Sequence, residues 1–151
     1  MNVKNISVAD FRESLRGKGF DEVIDIHLKL TAIIQKEYKL SADERHLNLA
    51  IHACELMISI SDVVMDAMIK KARYQIYEYE KIVGAYPHPR TFYRPSHYGY
   101  NKLSVILKKK KDIVSLKRIQ DKCDAEGWGK GLINISEIDK GKSVFPSGGK
   151  A

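Results

Sequence analysis

The chain has 151 residues, 44% of them hydrophobic and 9% aromatic, and a formal net charge of +7. That length suits one domain, the apolar content argues against a wholly disordered chain, and no apolar run approaches the roughly 20 residues that span a bilayer. Only two cysteines occur, Cys54 and Cys123, which excludes a disulfide framework or a four-cysteine zinc site within one chain. With no apolar signal-type stretch at the N-terminus, a reducing cytoplasm is expected.

Charge divides the chain in two. Residues 1–83 hold 12 Lys/Arg against 13 Asp/Glu, a net of −1, whereas residues 84–151 hold 14 against 6, a net of +8. Residues 85–122 alone hold 10 against 2, which again gives +8. A patch this concentrated attracts a polyanion: nucleic acid, anionic lipid or an acidic protein. The plainer alternative is a solvated, solubilising face.

Taken in order, residues 7–17 predict a short helix. Ser7 and Asp10 form a cap-like start, Phe11 and Leu15 share a face, and Gly17 stops it. Residues 20–39 predict a second helix, with Val23, Ile26, Leu30, Ile33 and Ile34 on one side. Its acids, Asp21, Glu22 and Asp25, lie in the first turn, and Lys36 and Lys39 in the last, as the helix dipole prefers. Ser41-Ala42-Asp43-Glu44 reads as a capping box that opens a third helix. No Gly or Pro follows until Gly84, a stretch of 42 residues and about 63 Å of helix at 1.5 Å per residue. A compact domain of this size is near 40 Å across. The helix must therefore break, bend or project, and Ser59 and Ser61 can loosen it by bonding back to carbonyls one turn earlier.

Leu47, Cys54, Ser61 and Met68 recur every seven residues, as do Ile51, Ile58, Met65, Ala72 and Tyr79. The two series make a heptad seam over 47–79, suited to a homodimer, while Ala50, Met57 and Val64 widen it into the face of a core helix. Residues 84–101 carry three prolines and five aromatics, which excludes helix and central strand and predicts a long ordered loop. Helix resumes over 102–126 in one or two pieces, with Asp112 able to cap the second and Gly127 to end it. In the tail, Leu132-Ile133-Asn134-Ile135 suits a strand pairing with Ser143-Val144-Phe145. The expected fold is thus mostly α: a small helical bundle around one long central helix, about 42–82. Residues 1–126 form a single helical domain with its basic half at 84–126, and 127–151 form an irregular or hairpin-like C-terminal tail.

The first candidate site is basic and aromatic. Arg90, Arg94 and Lys102 alternate with Tyr93 and Tyr98, the mixture that single-stranded nucleic acid requires: cations for phosphates, rings for bases. Lys108, Lys110, Lys111, Lys117 and Arg118 extend the track; on one continuous helix the last four fall near one face. The second candidate is a polar stripe, Asn48, His52, Glu55, Ser59, Asp62 and Asp66, spaced by fours and threes. His52-x-x-Glu55 and Asp62-x-x-x-Asp66 each offer two ligands to a hard divalent metal. All-α nucleotide pyrophosphohydrolases place carboxylates on packed helices in a similar way, usually as Glu-x-x-Glu followed by Glu-x-x-Asp. Here His52 stands for one Glu, and Glu78-x-x-Lys81 ends in the opposite charge, so half of that ligand set is missing. Nucleophilic catalysis finds no base fixed beside Cys54 or Cys123, and the five histidines are isolated in sequence. No cofactor motif is present. The expected function is a non-enzymatic, nucleic-acid-associated accessory protein. The alternatives are a helical interaction module docking on an acidic protein and a metal-dependent hydrolase.

Overall fold

The structure, a computed structural model, describes residues 1–139. Among these the chain folds into seven helices and one two-stranded sheet. The order is α1 (Val8–Ser14), α2 (Phe20–Lys39), α3 (Glu44–Ser59), α4 (Ser61–Ile82), β1 (Thr91–Arg94), α5 (Tyr98–Lys110), α6 (Ile113–Glu126), β2 (Gly131–Asn134) and α7 (Ile135–Asp139).

Local chemistry sets most boundaries. Ser7 Oγ accepts from the Asp10 N–H and starts α1. The Glu22 carboxylate reaches back to the Gly19 N–H at the head of α2. At α3 the cap is Asp43 rather than Ser41: its carboxylate accepts from the Arg45 N–H and also pairs with the Arg45 guanidinium. A carboxylate with a cationic partner outcompetes a serine hydroxyl two residues earlier.

The long central helix expected at about 42–82 is divided at Ile60 into α3 and α4, which meet at a bend of 54°. The serines on either side of the break turn back on the preceding turn. Ser59 Oγ donates to Leu56 O at 2.6 Å, and Ser61 Oγ to Ile58 O at 2.7 Å. The bend lets both halves wrap the same core rather than project from it. Leu30 and Ile34 of α2 are fully buried there with Leu56, Met57, Ile60 and Val64. Burying each such side chain contributes about 1.5–3 kcal/mol. The heptad seam lies partly inside this core: Cys54 and Ser61 are wholly buried, and Ile58 and Met65 nearly so. Tyr74 and Tyr77, farther along α4, are exposed.

The proline-rich segment expected as a loop over 84–101 contains a strand, and its end is already helical, since α5 starts at Tyr98, past the segment's last proline. Thr91–Arg94 pairs antiparallel with Gly131–Asn134, Phe92 opposite Ile133 and Arg94 opposite Gly131. Pro89 and Pro95 flank the strand rather than interrupt it, and a two-stranded ribbon has free edges that tolerate them. β2 thus finds its partner at 91–94. The expected partner, Ser143-Val144-Phe145, lies outside the described residues. Of the tail expected at 127–151, the described part is built into the fold, with Trp128 and Ile135 both buried. No single helix among the described residues is long and apolar enough to cross a membrane.

Candidate nucleic-acid interface

The basic segment forms an antiparallel helical hairpin. Leu103 and Ile106 of α5 and Leu116 and Ile119 of α6 are buried, which fixes the two helices on the body. The turn is tight. Lys111 adopts the left-handed conformation, φ 59°, and the Asp112 N–H donates to Leu107 O at 3.0 Å, closing a Schellman-type end. The Asp112 carboxylate then accepts from the Ser115 N–H and caps α6, which holds that carboxyl below its usual range. The turn re-aims what one continuous helix would have aligned, so Lys110 and Lys111 end α5 while Lys117 and Arg118 lie on α6.

The expected cations have separate fates. Lys108, Lys110 and Lys111 are exposed at the turn, and no ion pair joins them to a carboxylate among the described residues. Arg118 is also exposed, close enough to help lower the Asp112 carboxyl. Ile113 and Val114, directly after the turn, are 67% and 82% exposed. Lys117 is paired with Asp121 at 3.2 Å. Lys102 lies 4.2 Å from the centroid of the Tyr38 ring and 5.7 Å from that of Tyr98, so it ties α5 to α2 with Tyr98 half-buried beneath it. Arg90 is held by Glu80. Arg94 donates to the carbonyls of Gly131 and Lys130, at 3.2 and 3.0 Å, and staples the ribbon. Tyr93 is 63% exposed on β1. The track is therefore not continuous: α5, 13 residues and about 20 Å long, separates the ribbon from the lysine-rich turn.

A part-buried polar hub, unmarked by any local pattern, lies at the foot of the hairpin. Glu126 Oε1 lies 2.6 Å from Ser61 Oγ and accepts from Tyr100 Oη at 2.9 Å and Trp128 Nε1 at 3.1 Å. Its other oxygen accepts from Lys122 Nζ at 2.6 Å. Burial drives the Tyr100 hydroxyl far above its usual range, so it stays a neutral donor. Beside the hub, the rings of His27, His97 and Trp128 pack on one another at 4.7–5.9 Å. Burial pushes His27 down to about 4. Burial first, then His27 and Lys122, push His97 down to about 3. Both imidazoles are neutral at pH 7. Burial likewise lifts the Cys54 thiol to about 12, which leaves it unreactive.

The polar stripe does not assemble. His52 Nε2 lies 2.9 Å from Ile6 O, Asp62 binds Arg12 through both oxygens, and Asp66 pairs with Lys70. The break at Ile60 also turns the second half of the stripe away from the first. Among the described residues no three His, Cys, Asp or Glu side chains are grouped to hold a metal ion. No family model, curated protein or solved structure matches the chain.

Proposed function

We propose that the protein is a non-enzymatic accessory factor that binds nucleic acid through the turn of its α5–α6 hairpin. The observation that carries this reading is the group Lys108, Lys110, Lys111 and Arg118, exposed at one end of the hairpin with Asp112 the only carboxylate in the turn itself. Cations left without carboxylate partners are free to release counterions from a phosphate backbone. Tyr93 adds a stacking ring at the far end of α5. The two free thiols, Cys54 and Cys123, suit a reducing, cytoplasmic setting.

The test is fluorescence anisotropy with labelled single- and double-stranded oligonucleotides across a salt series. Lys110→Ala with Lys111→Gly removes two charges, and glycine suits the left-handed position at 111. The slope of log K against log salt for single strands should fall by about 1.4, two phosphates at about 0.7 each. No binding at physiological salt, or an unchanged slope, refutes the reading.

A second reading, docking on an acidic protein, is favoured by the exposed Ile113 and Val114 beside the lysines. They would be apolar anchors inside a ring of charge. It predicts that Val114→Ser weakens the partner complex while leaving the salt slope for oligonucleotides unchanged.

A further inference from the structure

Between α5 and α6 runs an open groove of about 750 Å³, within the range that holds a small ligand. Its floor is apolar, from Leu116 and Ile119 of α6, with Val105 of α5 at the rim. Its two ends differ in charge. Because the helices are antiparallel, Lys108 and Lys117 share the end near the turn, and Asn101 and Asp124 share the other. Seven residues separate Lys108 from Asn101, about 10 Å along the helix, a span of the order of one nucleotide from phosphate to base edge.

We infer that this groove takes one unpaired nucleobase carrying an exocyclic amine, with its phosphate at Lys108 and its amine toward Asp124. The inference rests on the nucleic-acid reading above and deepens it to a substrate class. Three features carry it. The lysines at one end attract phosphate, and the carboxylates of Asp121 and Asp124 farther along repel it, so a strand enters in one orientation. Asp121 is already engaged by Lys117 at 3.2 Å, whereas the nearest cation to Asp124 is Lys130 at 3.6 Å, which leaves Asp124 with acceptor capacity. Adenine, cytosine and guanine present an amine donor that a carboxylate accepts, and thymine and uracil present none. In a duplex the same bases are stacked and paired, so the groove selects single strands.

Equal-length labelled strands of dA, dC and dT, and an abasic sugar-phosphate strand, separate the outcomes by anisotropy at fixed salt. The dA and dC strands should bind about tenfold tighter than dT, the effect of one discriminating contact of about 1.4 kcal/mol. Asp124→Asn should bring dC and dT together, since an amide offers both donor and acceptor. Val105→Trp, at the exposed rim, should reduce every base-bearing strand to the abasic affinity while preserving the salt slope. If all four strands bind alike, or if base preference survives both substitutions, the groove inference is overturned and the lysine turn stands. Absence of binding to every strand overturns both.

Discussion

Lowering the pH from 7.5 to 5 should cost the folded state about 4 kcal/mol, through His27 and His97 alone. The two rings are only 6% and 1% exposed. His97 Nδ1 accepts from the Tyr100 N–H at 3.0 Å, so the imidazole proton sits on Nε2, which is buried with no hydrogen-bond partner among the described residues. His27 Nδ1 is buried with no partner among the described residues. Neither ring has a carboxylate that would welcome a second proton. Burial holds them near 4 and 3, against about 6.5 in an unfolded chain. Both folded values lie below the unfolded one, so the stability is intact above pH 6.5 and is lost as the pH falls toward the folded values. At pH 5 each ring contributes RT ln(1 + 10^1.5), about 2 kcal/mol, to the loss. That is a large share of the roughly 5–15 kcal/mol that holds a domain together. The assay is denaturant unfolding at several pH values, followed by the fluorescence of Trp128, the sole tryptophan, which stacks on His27. His27→Phe keeps a ring against Trp128 and deletes one proton site. Its stability should fall by about 1.4 kcal/mol per pH unit between pH 6 and 4.5, against about 2.7 for the unaltered protein. Equal stability at pH 7.5 and 5, or an unchanged slope in His27→Phe, would refute the reasoning.

Other consequences follow from the packing around the same hub. An alanine Cβ at Gly99 would lie 3.0 Å from both His97 Cε1 and Met57 Sδ. Gly99→Ala should therefore lower the melting temperature, at about 1–3 kcal/mol of overpacking, although the same change in an open helix gains up to about 1 kcal/mol. Glu126→Ala removes the acceptor of the Tyr100 and Trp128 donors and the carboxylate partner of Lys122, and should cost about 2 kcal/mol in chemical denaturation. Glu126→Gln, which retains an acceptor, should cost less, and equal losses for the two would contradict the donor count. Arg94→Ala should destabilise the fold by about 1–2 kcal/mol, since its guanidinium bonds two carbonyls, yet leave the oligonucleotide salt slope untouched.

What could be read in advance was what neighbouring residues decide. Phe20–Lys39 follows from its apolar spacing and its charge polarity, and Asp112 and Gly127 bound α6 as expected of a cap and a left-handed stop. Ser59 and Ser61 marked the place where the longest helical stretch bends. Ser41 was a plausible cap, but Asp43 took the role because Arg45 supports it from two residues away. Tertiary placement decided the rest. Arg94 and Lys117 look like free cations in sequence, and only the fold shows that carbonyls and Asp121 engage them. Glu126 and Ser61 stand 65 residues apart, and no local pattern couples a carboxylate to a hydroxyl at that distance. His27 was isolated in sequence for the same reason, because its covers, His97 and Trp128, arrive from far along the chain.

The ribbon has a kinetic consequence. Arg94 and Gly131 lie opposite one another although 37 positions separate them, and the whole α5–α6 hairpin is the excursion between. Closing that loop gains only four residue pairs, so the closure entropy must be met largely by contacts already in place. α5 packs on α3 and α6 packs on α5, which brings the two strands within reach before they pair. The ribbon should therefore close late on the folding pathway. Substitutions at Phe92 or Ile133 should quicken unfolding and leave the folding rate almost unchanged, with φ-values near zero. On that expectation, the residence time of the native state is set in part at a two-stranded clasp that contributes little to reaching it.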